Sequence, residues 1–245
     1  MTHKTRGIVI KATNYGETSI IVAVYTELFG LQSYIVKGVR QATKKKPGSQ
    51  IYFQPSAMLE MEVYHNALKN LQFIKEYKWG YLYEKVLFDV MRTAIAQFMI
   101  ELFHHAIKQP EANPELFCLL EGSLLEADKG SDAAVANLPL YFILHLATES
   151  GFELHGNFSA QTPVLDLKEG AYASAEPFHA DYISGFMAEA VSKIRHIQLY
   201  NELDNIRLNR QVRRQLLEAL LVYLSHHLPD FQKLKSLPIL QVMLD

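Results

Sequence analysis

Ser19-Ile20-Ile21-Val22-Ala23-Val24-Tyr25-Thr26 is apolar on both alternating faces, and after Leu28-Phe29-Gly30 the pattern resumes over Gln32 to Val39. β-Branched side chains are restricted about χ1 and favour a pleated backbone, and Gly30 can supply the positive φ of a tight turn, so the stretch reads as a hairpin. Working outward, Gly7 to Ala12 carries Ile8, Val9 and Ile10 and reads as a preceding strand. Met58 to Tyr64 places Leu59, Met61 and Val63 on one face and Glu60 and Glu62 on the other, as a strand with one wet face does. A turn at Asn66 leads to a fifth strand over Lys69 to Tyr77. Five short strands with turn signals in about 75 residues predict a small antiparallel barrel of the oligonucleotide/oligosaccharide-binding (OB) type.

Past Trp79 the period changes from two to between three and four. Val86, Val90, Ile95, Met99, Leu102 and Phe103 predict a long helix ending before Pro110. Helices over Pro114 to Ala127 and Leu138 to Glu149 follow, each opened by or near a proline, the second closed by Gly151. About 151 to 178, rich in Gly and Pro, reads as an irregular excursion with a short extended pair near Val164 to Ala173. Helices resume near Asp181, and Asn209 to Leu228 carries Val212, Leu216, Leu220 and Leu224 four apart with Pro229 as the stop. The expected class is α+β with two domains, an OB-like barrel over 1–80 and a mainly helical domain over 81–245.

With 49% hydrophobic and 20% charged residues the chain can fill its cores. Cys118 is the sole cysteine, which excludes an intrachain disulfide and a cysteine-based zinc site. On Leu116-Phe117-Cys118-Leu119-Leu120 it reads as a buried, inert thiol, and the chain fits a reducing, cytoplasmic setting. No apolar run approaches the ~18 residues that span a bilayer, so no membrane role is expected.

Charge is unevenly placed. Residues 1–80 hold eleven Lys and Arg against five Asp and Glu, and the remainder holds thirteen against twenty-one. Lys37, Arg40, Lys44, Lys45 and Lys46 crowd together between two strands, where they can neutralise phosphates with release of counterions. Arg6 and Lys11 can widen that track, and Tyr15, Tyr34 and Tyr52 are candidates for stacking on bases. The same lysine run before Pro47-Gly48 also suits a solvated loop, and strand tyrosines also suit a barrel core. Arg207, Arg210 and Arg214, three and four apart, share a helix face if the helix extends back that far, and there they can clasp an acidic tail or lie as a solvated charge row. The pairs His104-His105 and His226-His227 lack the spacing of a metal motif, and no phosphate loop, dinucleotide fingerprint or nucleophile elbow occurs. No catalytic residue, metal or cofactor is expected.

Read together, Gly7-Ile8-Val9-Ile10-Lys11, Tyr15-Gly16-Glu17-Thr18-Ser19, Tyr25-Thr26-Glu27 with Gly30, Lys37-Gly38-Val39-Arg40 and Phe53-Gln54-Pro55 before Leu59-Glu60-Met61-Glu62 follow one another in the order and spacing of a known family. Arg214-Gln215-Leu216-Leu217-Glu218, His227-Leu228-Pro229 and Lys235-Ser236-Leu237 extend the match to the C-terminus. The chain resembles the bacterial recombination mediator RecO. The resemblance implies an N-terminal OB barrel, a helical second domain, binding and annealing of single-stranded DNA, and a partner, RecR. With RecR such proteins help load recombinase onto strands coated by single-stranded DNA-binding protein (SSB), whose C-terminal tail is a further implied partner. Many relatives carry a four-cysteine zinc finger after the pair matched by Gly151-Phe152. Here those cysteines are missing, so Leu165-Asp166-Leu167-Lys168-Glu169-Gly170 is expected to pack without zinc, through burial of side chains. The region Asp128 to Glu149 is poor in basic residues, which disfavours an SSB-tail site there. The competing readings are a nuclease, with Glu60 and Glu62 as metal ligands, and a protein-protein adaptor with an incidental basic loop.

Overall fold

The computed structural model describes residues 1–40, 49–107, 111–229 and 231–244. The chain divides into two compact units, Met1–Tyr83 with Ile107–Glu121, and Glu84–Ala106 with Gly122–Asp245.

The first unit is a closed barrel of β1 (Thr2–Tyr15), β2 (Ser19–Thr26), β3 (Gly30–Val36), β4 (Met58–Tyr64) and β5 (Leu71–Tyr81), in the ring order β1-β2-β3-β5-β4. Four of its ladders are antiparallel, and β3 pairs with β5 in parallel through Ser33–Leu71, Tyr34–Gln72 and Ile35–Phe73. An odd ring of strands cannot alternate direction all the way round, so a parallel seam is the topological cost of closing five. This is the OB strand order. β1 and β5 are longer than the sequence suggests because each pairs along its length with two neighbours, whereas β3 stops at Val36, short of Val39.

Inside the barrel Val9, Ile20, Val22, Val24, Tyr34, Leu59, Met61 and Val63 form a closed core. The β1–β2 register shifts between Val9 and Lys11, so Val9 and Ile10 are both buried before the alternation recovers. Gly7 is required by space: a Cβ there would meet Met61 Cε and Val24 Cγ1 at 2.6 Å. The start of α2 (Pro114–Lys129) belongs to this unit. There Arg6 lies 5.0 Å above the Phe117 ring and pairs with Glu121 at 2.5 Å, while the fully buried Tyr25 donates its hydroxyl to Asn113 O.

The second unit holds α1 (Val90–Ala106), the latter part of α2, α3 (Asp132–Glu149), α4 (Phe186–Arg195), α5 (Arg210–His227) and α6 (Leu237–Leu244). The spacing that suggests a helix from Val86 is overruled. The Asp128 carboxylate accepts the N–H groups of Glu84, Lys85 and Val86 at 3.0, 2.7 and 2.9 Å, and Asp89 caps the helix that begins at Val90. α3 likewise starts before Leu138, at Asp132, because Ser131 caps it by accepting the Ala134 N–H, and Pro139 is tolerated inside.

The excursion forms a small sheet, β6 (Val164–Asp166), β7 (Ala171–Ala173) and β8 (Tyr182–Ser184), in the order β7-β6-β8. So the residues after Asp181 open with a strand, not a helix. Leu154, Leu165, Leu167, Tyr172 and Ile183 bury its inner side. Asp166 accepts the Lys168 and Glu169 amides, turning the chain into Gly170, whose φ of 65° only glycine adopts freely.

A candidate nucleic-acid interface

The barrel's ladders sort its side chains into rows. Ala12, Val22, Tyr34 and Gln72 stand opposite one another on the inner side. One residue on, Thr13, Ile21, Ile35 and Phe73 form the matching outer row, with Lys11, Ala23, Ser33 and Leu71 beside it. Tyr15, two residues beyond Thr13, closes this face at the β1–β2 turn and is 52% exposed, and Phe73 is 44% exposed. Lys37 follows β3 and holds its Nζ 5.9 Å from the centre of the Phe73 ring. The outer face of β1, β2, β3 and β5 therefore presents an apolar band with two exposed aromatic rings, Lys11 at one side and Lys37 at the other.

Such a band can stack unpaired bases while flanking cations meet phosphates. Single strands fit it better than a duplex, whose bases are already stacked on each other. Of the three candidate tyrosines, Tyr15 is exposed. Tyr34 is not: it is 0% exposed inside the barrel, so its ring has no face to offer a base. Tyr52 is stacked on Trp79 at 4.6 Å and is partly buried against the core.

The cations divide similarly. Lys11, Lys37 and Arg40 are exposed. Arg6 is already engaged: its guanidinium bonds Glu27 through Nε and Nη2 at 3.0 and 2.9 Å and Glu121 through Nη1, which raises its pKa and holds the Glu27 carboxyl below the ordinary range. It anchors the start of α2 to the barrel, its guanidinium taken up by these two carboxylates. Lys44, Lys45 and Lys46 lie outside the described residues.

On the opposite side of β1 a groove of about 540 Å³ is lined by Lys4, Arg6, Glu27, Glu60, Glu62 and Lys78 among others. Both strand-face carboxylates in it are paired: Glu62 with Lys75 at 2.8 Å and Glu60 with Lys78 at 2.7 Å, and the Lys75 contact lowers the Glu62 pKa. The strand-face carboxylates are thus cross-strand ion-pair partners. Among the described residues no three His, Cys, Asp or Glu side chains gather as a metal site would need. No described helix is long and apolar enough to cross a membrane.

In the second unit α5 starts at Arg210 behind the Asn209 cap, so Arg207 lies before the helix and the three candidate arginines do not share one helical face. Arg207, Arg210 and Arg214 are exposed, and Arg214 pairs with Glu218 at 3.2 Å. The sequence reading missed Arg213, which packs inward onto Asn137 Oδ1 and Leu208 O; burial and the nearby Arg210 lower its pKa. Cys118 is exposed, against expectation, because its helical position turns outward while Phe117 and Leu120 are buried.

The missed aromatic, Phe73, had a signal. In Leu71-Gln72-Phe73 the usual alternation is inverted, because Gln72 turns inward to bond Asn66 and Lys69 across the turn and leaves the ring outside.

Two protein families cover the chain: Recombination protein O N terminal matches residues 1–83 and Recombination protein O C terminal matches residues 87–238. Curated relatives called DNA repair protein RecO align along nearly their full length. The protein of Flavobacterium psychrophilum is 32% identical over 240 residues, 97% of each chain. That of Bacteroides fragilis is 31% identical over 246 residues, 100% of each, and that of Phocaeicola vulgatus 29% over 241 residues, 98% of each. With an OB-type barrel, a helical unit and full-length relatives in hand, the chain belongs to the RecO family of DNA repair and recombination proteins.

Proposed function

We propose that this protein is a recombination mediator that binds single-stranded DNA on the outer face of β1, β2, β3 and β5 and anneals complementary strands. With RecR, in this reading, it helps load recombinase onto SSB-coated strands. The observation that carries the DNA-binding step is the band of Thr13, Ile21, Ile35 and Phe73, ended by the exposed Tyr15 and flanked by Lys11 and Lys37. Annealing then needs no nucleophile: cations lower the repulsion between two strands, and base pairing supplies the free energy. The protein acts without covalent chemistry. Lys44, Lys45 and Lys46, which follow Arg40 in the sequence, add phosphate contacts in this reading.

For the acidic SSB tail the proposed clasp is the opening of α5, where Arg207, Arg210 and Arg214 are exposed. No acid stands in that helix's first turn, and a carboxylate arriving there is favoured by the arginines and the helix dipole together.

The test is fluorescence anisotropy of a labelled mixed-sequence strand across a salt series, followed by an annealing assay. Wild type is expected to bind with a steep salt dependence, and changing Lys44, Lys45 and Lys46 together to Ala flattens the log-log slope by about 0.7 for each phosphate that no longer meets a cation. Absence of binding at low salt would refute the reading in favour of a protein adaptor. Mg²⁺-dependent loss of the strand would point to a nuclease instead.

A further inference from the structure

Arg40 holds a turn. Its backbone N–H donates to Thr18 O at 3.1 Å and its Nη1 donates to Gly16 O at 2.9 Å, so one residue grips both ends of the loop Gly16-Glu17-Thr18 between β1 and β2. Gly16 and Glu17 are exposed, Gly16 stands at φ +60°, and among the described residues a Cβ placed on it would meet nothing within 4 Å. Tyr15, the last residue of β1, pairs with Ser19 directly across this loop and carries one of the two exposed rings of the interface.

We propose that Arg40 is a positioning residue of the nucleic-acid face, which fixes the β1–β2 turn so that Tyr15 is presented for stacking, and is not itself a phosphate ligand. The proposal rests on the DNA-binding reading above. Its physical basis is pre-organisation: a ring on a tethered turn loses less freedom on meeting a base than a ring on a loose one, so the tether appears as affinity without adding a contact. A guanidinium aimed at a backbone carbonyl serves as a tether, whereas a phosphate ligand needs its N–H fork turned to the strand.

Two measurements separate these roles. Amide hydrogen exchange of the free full-length protein is compared for wild type, Arg40→Ala and Arg40→Gln over Glu17 to Ile20. Anisotropy with the labelled strand across salt is then measured for wild type, Arg40→Ala, Tyr15→Ala and the double variant. Arg40→Ala is expected to speed exchange in the turn and weaken binding several-fold with the salt slope unchanged, and to cost nothing further once Tyr15 is Ala. Arg40→Gln, which keeps an N–H donor but no charge, is expected to restore part of both. A slope shallower by about 0.7, with the weaker binding persisting in the Tyr15→Ala background, would make Arg40 a phosphate ligand and overturn the proposal. Unchanged exchange in Arg40→Ala, or undiminished binding in Tyr15→Ala, would overturn it too. If wild type binds no strand, the DNA-binding reading fails and the proposed role falls with it, while exchange alone still reports whether Arg40 grips the turn.

Discussion

The Glu101 carboxylate on α1 accepts the backbone N–H groups of Lys235 and Ser236 at 2.9 and 2.8 Å and the Ser236 hydroxyl at 2.5 Å, so a side chain remote in sequence caps α6. Burial pushes this carboxyl up, but the bonds from Ser236 and Lys235 outweigh it and hold the pKa below the ordinary 4.5. A depressed carboxylate stabilises the fold above its unfolded pKa and loses that contribution as pH falls through the folded value. Glu101→Gln is expected to cost about 1–3 kcal/mol in denaturant unfolding and to raise amide exchange across α6. The penalty shrinks as the pH is lowered from 4.5 through the depressed value of the folded carboxyl. An α6 that exchanges at the wild-type rate in the variant would show that the cap is idle.

Stacking and charge should separate on the barrel. Phe73→Ala is expected to weaken single-strand binding by about 1–3 kcal/mol while leaving the salt slope as it is. Lys37→Ala should flatten that slope by about 0.7. Tyr34→Phe, inside the barrel, should leave both untouched. A salt-slope change in Phe73→Ala would mean that the ring also orders a cation.

His145, on α3, is packed against the Tyr141 ring at 3.9 Å with its Nε2 buried and, among the described residues, without a hydrogen-bond partner, and burial lowers its pKa to about 4. Between the ordinary 6.5 and about 4 the unfolded chain therefore binds the proton and the folded chain does not, so stability declines as the pH is lowered through that window. Replacing His145 with Gln is expected to flatten the pH dependence of the urea midpoint between pH 6.5 and about 4 relative to wild type. Parallel curves would mean that the imidazole is more accessible to protons than its packing implies.

Gly170 follows the Asp166 turn at φ +65°, and a Cβ there would lie 3.2 Å from Tyr223 Cε2 and 3.4 Å from His227 Nε2. Gly170→Ala thus combines a left-handed backbone with crowding against α5 and should destabilise by about 1–3 kcal/mol. Thermal unfolding reads this directly.

The exposed Cys118 should react with a thiol reagent in the folded state at a rate close to that of the denatured protein. A reaction that waits for denaturant would restore the buried reading.

The barrel was legible because β-branched runs and period-two alternation are local properties, and Gly30 marks its turn with φ 63°. What escaped depends on partners distant in sequence. Val86 and Val90 carry helical spacing, yet the amides of Glu84 to Val86 are taken by Asp128, which no local pattern announces. Arg6 reads as one more cation until Glu27 and Glu121 are brought to it. Tyr15 and Tyr34 are equally good strand residues, and only the register of β1 and β3 puts one outside and the other in the core. Phe73 was hidden by the reverse: the buried Gln72 looks misplaced until its bonds to Asn66 and Lys69 are seen.

The barrel unit draws on two separate pieces of chain, Met1–Tyr83 and Ile107–Glu121. On the ribosome, therefore, the strands are complete well before the unit is, and Tyr25 waits for Asn113 and Phe117, Arg6 for Glu121. A gene fragment cut after Tyr83 would yield five strands with Tyr25 uncovered and Arg6 short of a partner, an apolar, sticky surface that the longer chain covers. The piece that completes this unit ends at Glu121, and α1, which belongs to the other unit, lies in the chain between the two segments.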